Sequence, residues 1–111
     1  MATKEQVFKS LDEVRRKFED PGVREKFKGF KRDILFKFPD LNAEYVLSIS
    51  EDATATLKEG SVEKPSVVVE MDSSTFLGIR NRTISATQAY TSGRLKVKGV
   101  MPDLLKLQKL L

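Results

Sequence analysis

The side chains able to do chemistry here are carboxylates, lysines, arginines, two tyrosines and scattered hydroxyls, because the chain has neither histidine nor cysteine. Any acid–base pair must then come from Asp/Glu, Lys or Tyr. Thiolate metal sites and disulfides are excluded, and no cofactor is implied. Glu51-Asp52 and Glu59 fall at turn signals, where carboxylates are expected to be solvated. No serine stands in a nucleophile-elbow context. Asp33, taken as one buried carboxylate, is a candidate base for an isomerase-type reaction, and nothing around it supports that role. The chemistry available favours binding over turnover.

The cations are unevenly spread. Residues 1–38 carry eleven Lys/Arg and seven Asp/Glu, residues 39–93 four and eight, and residues 94–111 five and one. Basic ends around an acidic middle can attract an anionic lipid surface, a phosphate-bearing ligand or nucleic acid, or can simply be solvated faces. One segment, Lys26-Phe27-Lys28-Gly29-Phe30-Lys31-Arg32, interleaves cations with aromatics as single-strand stacking platforms do. Phe27 and Phe30 also continue an apolar stripe from Val23, so core burial is the stronger reading and nucleic acid is not the expected partner.

The 111 residues suffice for one domain and one core, and no repeat or linker divides residues 1–111. No apolar run approaches the ~20 residues that span a bilayer, and the first residues lack a signal-peptide segment. A cytoplasmic protein is expected. Thr3 and Gln6 make a capping box for a helix whose Val7, Leu11, Val14 and Phe18 share one face. Asp20-Pro21 starts a second helix, which Gly29 loosens or ends. Strands follow by period-two alternation: Ile34, Phe36 and Phe38; Tyr45, Leu47 and Ile49; Ala53, Ala55 and Leu57; and the run Val67–Met71. Asp72 or Ser73 then caps a helix that Asn81 stops in a left-handed conformation. Ser85 with Gln88 opens a fourth helix ending at Gly93. Leu95 and Val97 point inward from a last strand with Lys96 and Lys98 outside, and Pro102 starts a final helix with Asp103 in its first turn. The order is ααββββααβα, an α+β domain whose five-stranded sheet carries helices on one face.

This order, with Phe76-Leu77, Ala89-Tyr90, Gly93-Arg94-Leu95-Lys96-Val97, Gly99 and Lys106-Leu107-Gln108 at their spacings, resembles the sterol carrier protein type two domain over nearly the whole chain. Each piece is common alone; the set is not. Members often have Gly where this chain has Arg82, Pro where it has Ala86, and Asn or Asp where it has Val100. The departures bear on the loop at 80–86 and on the mouth of a binding site.

The resemblance implies non-catalytic binding and intracellular carriage of an apolar ligand (a sterol-like lipid, a fatty acid or a fatty acyl-CoA) in a hydrophobic tunnel between sheet and helices. Burial of such a ligand yields about 0.8 kcal/mol per methylene. The implied lining residues are Phe76, Leu77, Ile79 and Tyr90 from the middle helices, with Met101, Leu104, Leu105 and Gln108 at the end, where Gln108 can orient a head group. Arg80, Arg82 and Arg94 are candidate contacts for a carboxylate or for CoA phosphates. Transient contact with an anionic membrane surface fits the basic ends. Apolar residues at helical spacing serve equally well as core, so a structural domain without an open tunnel is the competing reading. No feature fixes an oligomeric state.

Overall fold

The computed structural model describes residues 2–111. The helices are α1 Lys4–Arg16, α2 Pro21–Phe27, α3 Ser73–Arg80, α4 Ala86–Thr91 and α5 Met101–Gln108. The strands are β1 Arg32–Phe38, β2 Ala43–Ile49, β3 Ala55–Glu59, β4 Val67–Glu70 and β5 Lys96–Lys98. They form one mixed sheet in the order β3-β2-β1-β4-β5, in which only the β1–β4 pairing is parallel.

Local chemistry explains most boundaries. Both halves of the Thr3–Gln6 capping box form, with the Thr3 N–H donating to Gln6 Oε1 at 2.9 Å. Asp20 accepts from the Gly22 N–H at 2.8 Å with Pro21 at the first helical position. Two expectations shift here. Phe18 falls in a tight 3-10 turn, Lys17–Glu19, that follows α1. Helix α2 stops at Phe27, and Gly29 at φ +83° donates its N–H to the Glu51 carbonyl, so Phe30 reaches the core from outside the helix.

The register puts Tyr45, Phe36, Val69 and Val97 in one row, and Leu57, Leu47, Ile34 and Val67 in the next. These rows face the helices and, with Phe38, make one core with Val7, Leu11 and Val14 of α1 and Phe76 of α3. Lys96 and Lys98 are exposed, as the alternation requires. The opposite face is not wholly polar. Leu35 and Val46 are buried there beside each other, outside the main core, in a row that ends in Lys58 and Lys98. Long lysine stems can cover apolar neighbours while their ammonium groups stay in water. Asp33 lies on this face, half-buried and not buried, opposite Ser48, so the acid considered for base catalysis sits on a polar sheet surface.

Helix α3 begins at Asp72, whose carboxylate accepts from the Thr75 N–H at 2.7 Å. That hydrogen bond, ahead of all other causes, holds the Asp72 carboxyl below its ordinary 3.8. A carboxyl with a depressed folded-state value contributes stability above its unfolded value and loses it as pH falls through the folded one. Asp72→Ala should therefore cost about 1 kcal/mol at neutral pH. The difference from wild type should shrink as the pH falls below 3.8, as thermal melts across that range would read.

Candidate functional site

Where the sheet ends at β4 and β5, helices α3, α4 and α5 stand apart from it and leave a cavity of about 430 Å³. Its floor is Val69, Leu95 and Val97. One side is Ile79 of α3 with Ile84 of the following turn. A second is the adjacent Ala86 and Thr87 with Tyr90, four and three residues further along α4. The third is α5 and the residues after it: Met101, Leu104, Leu105, Leu107, Gln108 and Leu111. Among the described residues, Arg82 carries the one charged side chain in the lining. The lining is mostly apolar, with a few polar groups, the general character of small-molecule pockets.

The turn from α3 to α4 sets two walls. Gly78 lets α3 and that turn come together: a Cβ there would lie 2.4 Å from Ile84 Cδ1. The N–H groups of Thr83 and Ile84 return to the Gly78 carbonyl at 2.9 and 3.1 Å. The left-handed residue is Arg82, at φ +67°, and not Asn81, at φ −93°. Asn81 instead accepts from the N–H and hydroxyl of Thr83 at 3.1 and 2.7 Å. A left-handed backbone at this point explains why a glycine would suit it. An arginine holds it at a cost of about 1–2 kcal/mol.

Helix α5 is fixed from both ends. Arg32 of β1 grips Asp103 through Nε at 2.7 Å and Nη2 at 3.3 Å, with Asp103 buried. At the far end Lys17 donates to the Leu110 carbonyl at 2.6 Å, and Leu107 and Leu110 join the core. The helix is thus a wall held by side chains on one face, while Met101, Leu105 and Gln108 remain exposed along the opening. Val100, its N-cap residue, provides no side-chain hydrogen bond.

The charge around Arg82 is one-sided. Burial lowers the Lys17 ammonium below its ordinary value, and repulsion from Arg80 and Arg82 adds to the effect. Arg80 is engaged by Ser10 Oγ at 3.1 Å and Glu13 at 3.7 Å. Among the described residues, Arg82 has no carboxylate at ion-pairing distance.

Of the residues implied as lining, the structure brings Ile79, Tyr90, Met101, Leu104, Leu105 and Gln108 together round this cavity, with Arg82. Phe76 and Leu77 lie elsewhere. Phe76 is fully buried against Phe36 and Phe38, with ring centroids at 6.3 and 5.3 Å, and Leu77 packs on the core. Arg80 is tied to α1, and Arg94 reaches Thr75 Oγ1 at 3.4 Å. Sequence reasoning missed Ala86 and Thr87 as lining, although both share a helical face with Tyr90. It placed Val69, Leu95 and Val97 only as inward-facing strand residues. In the basic-aromatic segment, Phe27 and Phe30 are buried edge to face at 5.7 Å. Their exposed sides carry this chain's own cations: Lys106 stands over both rings and Arg32 over Phe30. That leaves no open stacking platform.

The fold is a small α+β domain with a mostly apolar cavity between the end of the sheet and the last three helices. The profile of the SCP-2 sterol transfer family matches residues 11–111, and the chain belongs to that family of lipid-binding and transfer domains. No curated protein matches it in sequence. Among solved structures it is similar to sterol carrier protein 2 like 2 of Aedes aegypti (16% identity, 97% of this chain and 98% of that one, TM-score 0.73). It is also similar to the palmitated form of that protein in solution (14% identity, 98% and 94%, TM-score 0.69). A third likeness is to the stereoselective inverting sec-alkylsulfatase Pisa1 from Pseudomonas sp. (25% identity, 79% of this chain, TM-score 0.68). This chain spans only 14% of the sulfatase. No helix among the described residues is long and apolar enough to cross a membrane.

Proposed function

We propose that the protein binds and carries a long-chain anionic amphiphile, a fatty acid or its acyl-CoA, without chemical change. The acyl chain occupies the cavity and the head group lies at Arg82 and Gln108. The observation that carries this reading is Arg82 itself, an arginine without a carboxylate partner in the lining of an otherwise apolar cavity. A sterol, whose only polar group is a hydroxyl, has no use for such a cation. A carboxylate or phosphate accepts from it through two parallel N–H groups. Lys17 and Arg80 add positive potential at the same end. The palmitate held by the Aedes aegypti protein is a ligand of this kind.

Displacement of a fluorescent fatty acid tests the reading. Palmitate and palmitoyl-CoA should compete saturably, and cholesterol should compete more weakly. Arg82→Gly should weaken palmitate by roughly tenfold or more, the worth of a hydrogen bond to a charged group. The same change should raise thermal stability by about 1 kcal/mol, because glycine accepts the left-handed backbone. Cholesterol competing as well as palmitate, with Arg82→Gly altering neither, would assign the cavity to a neutral lipid.

A further inference from the structure

On the reading that Arg82 receives the ligand head group, we infer that Asn81 is the positioning residue that aims it, and so sets the preference of the cavity for a charged over a neutral lipid. The backbone shows why something must hold Arg82. Helix α3 ends in a pair of returning hydrogen bonds: the Thr83 N–H goes to the Gly78 carbonyl at 2.9 Å and the Arg82 N–H to the Ile79 carbonyl at 3.3 Å. This helix ending needs one left-handed residue, usually glycine and sometimes asparagine. Arg82 fills that place, at φ +67°. Arginine lacks the short polar side chain with which asparagine or aspartate bonds its own backbone there.

The support comes from the residue before it. Asn81 Oδ1 accepts from the N–H of Thr83 at 3.1 Å and from its hydroxyl at 2.7 Å. The Asn81 side chain therefore closes a ring round Arg82, fastening together the residues on either side of it. Asn81 is itself pinned to α3, its N–H donating to the Leu77 carbonyl at 2.9 Å. Asn81 and Thr83 are both exposed, and neither is among the described residues that line the cavity. Core packing therefore does not account for their contact.

Backbone strain persists where its surroundings over-determine it, and it gathers at ligand contacts. In an ordinary helical conformation Arg82 would extend α3, and its side chain would leave from a different side of the backbone. Ile84 depends less on the ring that Asn81 closes. Its side chain fills the space over Gly78, where a Cβ on residue 78 would overlap it. The apolar wall and the cation are thus held by different contacts, and one can be loosened without the other.

Two ligands of one chain length separate these contacts. A fluorescent fatty acid is displaced with palmitate and with methyl palmitate, which keeps the acyl chain and lacks the charge. Wild type should hold palmitate roughly tenfold more tightly, the worth of a hydrogen bond to a charged group. Asn81→Ala should cut that preference to roughly two- or threefold by weakening palmitate alone. Thr83→Val, which keeps the shape of the side chain and loses its hydroxyl, should act in the same direction by a smaller factor. With Arg82→Gly in place, Asn81→Ala should change neither ligand, because two residues acting through one group are not additive. Thermal melts check that each variant is folded. A wild type that holds the two ligands equally removes the head-group reading and the role of Asn81 with it. A wild type that distinguishes them, with Asn81→Ala distinguishing them equally well, keeps that reading and overturns the role of Asn81. So does an Asn81→Ala that weakens both ligands alike, the mark of a purely structural residue.

Discussion

Phe76→Ala is expected to lower unfolding free energy by about 3–5 kcal/mol, the loss of a large buried ring together with the cavity it leaves. Phe76 has no exposed surface and bridges α3 to the centre of the sheet through Phe36 and Phe38. A domain of this size has about 5–15 kcal/mol in total, so one substitution consumes a large part of it. Urea titration measures this directly. The same experiment separates core from lining. A residue facing the cavity would lose little on truncation, since its neighbours already border open space. A change below about 1 kcal/mol would place Phe76 at the site after all. Phe76→Leu, which keeps most of the apolar volume, should fold and bind palmitate as wild type does.

Asp103→Ala has the next largest effect. It removes the acceptor for two guanidinium N–H groups of Arg32 and the acid in the first turn of α5. Hydrogen bonds between charged partners contribute about 1.5–3 kcal/mol; Arg32 is partly exposed, so the lower half of that range applies. The loss should be local. Hydrogen exchange from Leu104 to Lys109 should quicken while β1 and β2 keep their protection, and palmitate affinity should fall with the wall. Uniformly faster exchange across the sheet would show instead that the ion pair supports the whole fold.

Strand and helix identity were legible because they depend on neighbours in sequence. Alternation placed Ile34, Phe36, Phe38, Leu47 and Val97 on the helix side, and the caps at Thr3, Asp20 and Asp72 started helices where expected. Contacts across the fold were not legible. Asp103 reads locally as an acid suited to a helix start; its partner lies 71 residues away. The left-handed position fell one residue from where Asn81 suggested it, because Asn81 has a side chain able to bond Thr83 and the turn closes on Gly78. Core and cavity wall draw on the same apolar alphabet. Phe76 and Ile79 are neighbours on α3, yet one is sealed against the sheet and the other borders the opening, a division set by where the sheet ends.

The sheet order has a consequence for assembly. Strands β1, β2 and β3 form a meander joined by short turns, so their pairing closes small loops. Pairing of β4 and β5, and the seating of α5 on β1, must bring together residues far apart in the chain. The meander is therefore expected to form early, with the half that holds the cavity docking on it late. The order reverses under stress. The last parts to join are held by the fewest shared contacts and open first, at less than the global free energy. The protein should thus be able to release what it holds by partial opening at the α5 edge, with its meander intact throughout.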